Sequence, residues 1–234
     1  GVEYVPRLFG FVQVTLAVAV NEAKYATSGT AKRYWAIWRE RVANGLTDCL
    51  ARPPSQDTLT TLRSIPEFAG LGDKMLRWWP EEGREPTKQD ETLYGVCRPD
   101  RFLQLCSRYT LFEAGTKKIA RYQQYFCVEN LLRRVQSRNA DGSRKGGVVW
   151  HTQGSGKSLT MVMFARTLAE ELPLRDAPNF RIVLVTDRVD LDEQIGKTFA
   201  NCGLTPVRAT SGKHLAELLV STKGRVITTI VDKF

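Results

Sequence analysis

The segment Gly147-Val148-Val149-Trp150-His151-Thr152-Gln153-Gly154-Ser155-Gly156-Lys157-Ser158 joins an apolar run, a glycine-bearing turn and a lysine-hydroxyl pair. That order reads as strand, tight loop and helix start, the setting that a phosphate-binding loop requires. Glycines at 154 and 156 let backbone N–H groups converge on phosphate oxygens with no Cβ in the way, and the helix N-terminus adds partial positive charge. Lys157 is placed to reach β- and γ-phosphates, the Ser158 hydroxyl to hold Mg²⁺, and Thr152 and Ser155 to complete the cradle. The expected ligand is ATP with Mg²⁺. His151 stands where the general Gly-x-x-x-x-Gly-Lys-Ser pattern has its first glycine; that position needs only a backbone, so His151 reads as structural rather than catalytic.

Hydrolysis asks for more: a carboxylate that holds Mg²⁺ and orients water, and usually an arginine that stabilises developing charge. No Asp-Glu-Ala-His element occurs in the chain. Asp187 ends the apolar run Ile182 to Thr186, where such a carboxylate would fall, but Thr186-Asp187-Arg188 continues directly into a helix, and that strand reads as serving another role. Glu22-x-Lys24 matches the Glu-x-Lys of metal-dependent nucleases only superficially. No aspartate stands at a suitable distance before it, and a surface pair on a strand edge is the preferred reading.

The elements that must position these residues follow from periodicity. Phe11 to Val20 alternates, with Val12, Val14, Leu16, Val18 and Val20 on one face, which predicts a half-buried strand; Asn21 to Gly29 predicts a turn and a second strand. Tyr34, Trp35 and Trp38 are expected in a core. From Ala51 to Asp100 the six prolines 53, 54, 66, 80, 86 and 99 predict a connecting region, in which Phe68, Leu71, Met75, Leu76, Trp78 and Trp79 can dock a short helix on a neighbouring domain. Tyr122, Tyr125, Val128, Leu132 and Val135 share one face of a helix of about five turns. A strand at Gly147 to Trp150, a helix from Lys157 to about Leu172 and a strand at Ile182 to Val185 follow. Asp190 and Glu193 resemble a capping box, a helix is expected near His214 to Val220, and a strand at Val226 to Val231. Strands alternating with helices predict an α/β domain with a parallel sheet.

Composition narrows the setting. At 234 residues and 42% hydrophobic content the chain can bury one full core, or one core and a smaller piece, which excludes disorder. Thirty-four basic residues against 25 acidic ones give a net charge of +9, which suits a polyanionic partner. The cysteines at 49, 97, 106, 127 and 202 are odd in number and never fall into Cys-x-x-Cys, so reduced cytoplasmic thiols are expected rather than a disulfide framework or a zinc site. The longest apolar run, Phe11 to Val20, is too short to cross a bilayer, and no membrane partner is expected. Gly1 at the start and a strand-like run reaching Phe234 suggest a piece of a larger polypeptide.

Three segments carry a resemblance to a known family. His151 to Ser158, Leu184 to Gln194 and Val226 to Phe234 look like motifs I, Ia and Ib of superfamily 2 helicase motors, and together they resemble the restriction (R) subunit of type I restriction enzymes. Glu22 to Thr27 with Tyr34 to Trp38, and Arg98-Pro99-Asp100-Arg101-Phe102, resemble the stretch joining nuclease and motor there. The resemblance implies an ATP-dependent double-stranded-DNA translocase with endonuclease activity, a type I site-specific deoxyribonuclease subunit working with methylation and specificity subunits. It implies a RecA-like P-loop motor domain with a partial parallel sheet at 116–234, a linker with short helices at 51–115, and the end of a mixed α/β nuclease domain at 1–50. By the same resemblance Gln124 would read adenine, and Thr186, Arg188, Thr228 and Lys233 would face the DNA backbone. Walker B and nuclease carboxylates would lie outside this chain, leaving it inactive alone. The rival readings are a superfamily 2 helicase or remodeller without nuclease activity, and a nucleotide- or DNA-binding module that never hydrolyses.

Overall fold

The computed structural model describes residues 6–40, 45–78, 84–175, 180–221 and 225–233. In chain order its elements are α1 (Pro6–Phe11), β1 (Thr15–Ala19), β2 (Glu22–Ala26), α2 (Gly45–Ala51), α3 (Gln56–Ser64), α4 (Ala69–Trp78), α5 (Lys88–Cys97) and α6 (Pro99–Ser107). They continue with β3 (Thr110–Glu113), β4 (Thr116–Ile119), α7 (Tyr122–Gln136), α8 (Lys157–Arg175), β5 (Ile182–Thr186), α9 (Val189–Asn201), β6 (Val207–Arg208), α10 (Gly212–Val220) and β7 (Val226–Ile230). Two compact units result, one of Gly1–Thr15, Ala26–Ala36 and Phe102–Phe234, the other of Leu16–Tyr25 and Ile37–Arg101.

The smaller unit is helical through the proline-rich stretch, because the prolines fall between helices or at their starts. Pro53 and Pro54 separate α2 from α3, Pro66 opens a 3-10 turn, Pro86 precedes α5 and Pro99 begins α6. In a first turn proline loses no helical hydrogen bond, so these residues delimit helices instead of preventing them. Ser55 caps α3 by accepting from the Thr58 amide at 3.2 Å. Thr87 and Asp90 form a reciprocal cap on α5, with Thr87 N–H donating to the Asp90 carboxylate at 2.9 Å and Asp90 N–H to the Thr87 hydroxyl at 3.3 Å. Pro80, Trp79 and the side chains of Met75, Leu76 and Trp78 lie outside the described residues, while Phe68 and Leu71 are exposed.

Two expectations here need correction. The first strand is Thr15–Ala19 alone: Phe11 closes α1, Val20 sits in the β1–β2 turn, and Val18 and Val20 are exposed, since a two-stranded hairpin shields little of either face. Of the three clustered aromatics only Trp38 is buried, edge-on to Tyr25 with ring centroids 5.7 Å apart. Trp35, in the larger unit, is half-buried because its indole N–H reaches the Thr30 carbonyl at 3.0 Å, and Tyr34 is exposed beneath the Arg33 guanidinium.

In the larger unit β3 and β4 form an antiparallel hairpin, Thr110 opposite Ile119 and Glu113 opposite Thr116. Ala114 and Gly115 turn it with φ of 46° and 80°, the mirror-image geometry that suits a two-residue hairpin loop. Helix α7 buries Tyr125, Val128 and Leu132 as the spacing predicts, over about four turns rather than five. The parallel sheet runs in the order β5-β7-β6, with Ile182 opposite Val226 and Val207 opposite Ile227. Ile227 is fully buried with Ala209, Leu215 and Leu218, and Val183 and Val207 pack against them. The mixed α/β fold with a parallel sheet is thus as the alternation of strands and helices implies.

Two local expectations fail in this unit. Gly147 to Trp150 is not a strand: Val148 and Trp150 are 96% and 90% exposed, and the segment has no place in the described sheet. An extended run becomes a strand only where a neighbour takes its hydrogen bonds, and alternation in sequence does not supply one. The Asp190–Glu193 capping box also does not form. Helix α9 starts at Val189 with Arg188 as its N-cap and no side-chain cap, and Asp190 and Asp192 instead place negative charge in its first turn.

Candidate functional site: a glycine loop at the start of a long helix

The loop at 151–156 is closed by its own side chains. Ser155 N–H and Oγ–H both donate to the Thr152 carbonyl, at 3.3 and 2.7 Å, and His151 Nδ1 lies 3.1 Å from Ser155 Oγ. His151 therefore holds the loop from the position where a glycine is more usual. Gly154 and Gly156 have φ of 74° and 85°, a region in which a side chain is strained.

Gly156 is constrained twice. A Cβ at that position would stand 2.6 Å from Gln124 Nε2, because the Gln124 amide donates to the Gly156 carbonyl at 3.1 Å. The other end of the same carboxamide accepts from Arg121 N–H at 2.9 Å, so buried Gln124 ties the start of α7 to the loop. Gly156 O also accepts from Thr160 N–H at 3.0 Å and Thr160 Oγ1 at 3.1 Å. Thr160 was not foreseen; its signal is a hydroxyl three residues past Lys157, on the helix face that returns to the loop.

That first helical bond leaves the amides of Lys157, Ser158 and Leu159 without a carbonyl inside α8. They cluster at the positive end of a 19-residue helix, with exposed Lys157 and half-buried Ser158 beside them. Free N–H groups, two positive-φ glycines, a lysine and a hydroxyl make a donor set that fits a polyphosphate with a divalent cation. A cleft of about 860 Å³ opens alongside. Tyr122, Phe126, Asn130 and Arg134 line it from one stripe of α7, and His151 and Thr152 from the loop. The four-residue spacing on α7 is the sequence signal for this wall, and it was read only for the buried face. Burial raises the thiol pKa of Cys127, which also lines the cleft.

The residues expected near DNA are placed unevenly. Thr186 ends β5 and Arg188 follows it, the Thr186 hydroxyl donating to the Arg188 carbonyl at 3.2 Å, and Arg188 is exposed with Asp190 3.7 Å away. Thr228 is buried in β7, where its carbonyl accepts from Ala209 N–H at 2.9 Å, so its side chain does not share that exposed surface. Lys233 ends a short 3-10 turn after β7, and its side chain lies outside the described residues. Glu22 and Lys24 pair with each other on β2. Among the described residues no group of three or more His, Cys, Asp or Glu is arranged to hold a metal, and no helix is long and apolar enough to cross a membrane.

Loop, helix and parallel sheet make up a mixed α/β unit, and residues 123–234 match the family model of the SWI2/SNF2 ATPase. The chain is 36% identical over 153 residues to the type I restriction enzyme HindI endonuclease subunit of Haemophilus influenzae, covering 61% of this chain and 14% of that protein. It is 26% identical over 235 residues to the putative type I restriction enzyme MjaIXP endonuclease subunit of Methanocaldococcus jannaschii, 98% of this chain and 20% of that one. A third relative is the C-terminal part of the putative MpnIIP endonuclease subunit of Mycoplasma pneumoniae, 26% identical over 68% of this chain and 79% of its own length. The resemblance to type I restriction endonuclease subunits, with a helicase-like ATPase in the C-terminal half, is borne out. The chain spans about a seventh to a fifth of the first two relatives.

Proposed function

We propose that this chain is the nuclease–motor junction and most of the first motor domain of a type I restriction endonuclease subunit, a motor that moves along double-stranded DNA at the expense of ATP. The observation that carries the reading is the loop whose Gly156 carbonyl is gripped by Gln124 and Thr160, so that α8 opens with the amides of residues 157–159 lacking a carbonyl within the helix. Lys157 neutralises phosphate charge, Ser158 supplies a hydroxyl to Mg²⁺, and the amides at the start of α8 orient the chain of phosphates. Bound ATP-Mg²⁺ supplies the phosphoryl-transfer chemistry. Gln124 reads the state of the loop through Gly156 and, once released from it, the adenine edge.

Thr186, the last residue of β5, and Arg188, two positions on, face the DNA backbone, and Lys233 in the turn after β7 approaches the same duplex, whereas Thr228, buried in β7, acts only by holding the strand. Residues 116–234 make up the RecA-like motor domain, 51–115 the linker and 1–50 the end of the nuclease domain. In the assembled enzyme, methylation and specificity subunits choose the site on the DNA. The SWI2/SNF2 match alone would equally fit a remodeller without nuclease; the restriction subunits among the relatives favour the restriction reading.

The test is ATP hydrolysis by the intact polypeptide with and without duplex DNA. Turnover raised severalfold by duplex supports the motor. Turnover indifferent to DNA contradicts it and favours a module that binds nucleotide only.

A further inference from the structure

The end of α7 and the turn that follows gather positive charge on side chains that also hold the turn in shape. Arg133, Arg134, Arg138, Arg144 and Lys145 stand against one carboxylate, Asp141, within residues 133–145. This is close to half of the chain's net charge of +9, concentrated on one helix end and one turn. Arg133 and Arg134 lie in the last turn of α7, where cations complement the helix dipole. That explanation stops at Gln136. Arg138, Arg144 and Lys145 lie beyond the helix, in a turn that they help to build.

The turn is rigid. Arg138 and Arg144 form an antiparallel bridge, Asn139 N–H donates to the Ser143 carbonyl at 2.8 Å, and Lys145 N–H donates to the Ser137 carbonyl at 3.1 Å. Gly142, at φ 82°, lets the chain reverse. Asp141 is turned inward on the loop: its carboxylate accepts from Ser143 N–H at 2.9 Å and Ser143 Oγ at 2.6 Å, which lowers its pKa and keeps it ionised but engaged. Arg134 Nε donates to the Gly146 carbonyl at 2.8 Å and fastens the turn to the helix.

The bridge sets Arg138 across from Arg144, and their guanidiniums part, Arg138 donating to the Gly142 carbonyl at 2.8 Å and Arg144 to the Val135 carbonyl at 3.0 Å, so both charges stay on one turn. Four of the five cations are arginine, whose planar fork matches phosphate better than a lysine does. A hydrogen-bonded, arginine-rich turn fits a repeating phosphate backbone better than a protein surface, which would present carboxylates singly and in fixed places. We propose that residues 133–145 form a second contact with the backbone of duplex DNA, carried on a different element from Thr186 and Arg188. It reads phosphate and not base sequence, and it rests on the motor reading only in taking duplex DNA as the polyanion.

The experiment is duplex binding by the intact polypeptide over a range of salt, for wild type and Arg133→Gln/Lys145→Gln, with ATP-Mg²⁺ binding measured on both. Each phosphate contact contributes about 0.9 to the slope of log K against log salt, so the pair is expected to lower the slope by roughly 1.8. Affinity should weaken alike for unrelated sequences, with ATP binding unchanged. Duplex binding by wild type with an unaltered slope in the variant overturns this contact and leaves the motor reading standing. Failure of wild type to bind duplex overturns both. Unchanged slope with lost assembly on partner polypeptides would assign the turn to a protein interface and also overturn the proposal.

Discussion

Gln124 Nε2 donates to the carbonyl of Gly156 at 3.1 Å, and the same amide nitrogen occupies the space that a Cβ on residue 156 would fill. A residue 32 positions upstream thereby fixes both the conformation of the phosphate loop and the identity of the residue at its centre. Gly156→Ala is expected to abolish ATP-Mg²⁺ binding and to lower stability by about 1–3 kcal/mol through positive-φ strain and the clash with Gln124. In a Gln124→Ala background the clash is gone and only the strain persists. The two substitutions should therefore be non-additive in denaturant unfolding, with the double variant more stable than the sum of the single effects predicts. Strict additivity would mean that the contact does not constrain the loop.

Arg208 and Asp192 hold α9 to β6. Asp192 is 2% exposed, and its carboxylate lies 2.7 Å from Arg208 Nε, while its Oδ1 is buried without a hydrogen-bond partner. Arg208→Ala strands that carboxylate and is expected to cost about 1–3 kcal/mol, discounted for the half-exposed guanidinium. Asp192→Asn should cost less, since no buried charge is left behind. Urea unfolding of the two variants checks the order.

Glu40 in the smaller unit gives a pH dependence. Burial opposes its ionisation, but hydrogen bonds from Arg101 and Trp38 and the charges of Arg101 and Arg98 outweigh burial and hold its pKa below the ordinary value. The Trp38 indole N–H donates to Glu40 at 3.0 Å, and Arg98 and Arg101 approach it at 3.0 and 3.1 Å. A lowered folded pKa stabilises the unit above the unfolded carboxylate value, near 4.3, and that stability is lost as pH falls through the folded value. Glu40→Gln is expected to lower the melting temperature at pH 7 and to flatten its decline below about pH 4. Equal acid sensitivity in wild type and variant would contradict the assignment.

Much of this was legible in sequence where a local rule suffices. The glycines, lysine and serine of the loop, the helix behind them and the strands β5 and β7 announce themselves because each is a short pattern with one physical solution. The Gly147–Trp150 strand failed because pairing belongs to the neighbour and not to the run itself. The hairpin β3–β4 was missed although Ala114-Gly115 between Thr-Leu-Phe-Glu and Thr-Lys-Lys-Ile carries the turn signal. The links from Gln124 to Gly156 and from Arg101 to Glu40 cross 32 and 61 positions, a separation that no periodicity spans. The proline-rich stretch reads in sequence as a connecting region with short helices, and its prolines in fact mark where those helices begin.

The central claim is that the loop at 151–158 is a phosphate cradle dependent on Lys157. Calorimetric titration of ATP-Mg²⁺ into the intact polypeptide and into Lys157→Ala, both shown to be folded by circular dichroism, tests it most directly. Saturable binding to wild type and a loss of about tenfold or more in the variant, equivalent to at least about 1.4 kcal/mol, is the predicted result. Equal affinity in the two proteins, or no binding to folded wild type, would contradict it.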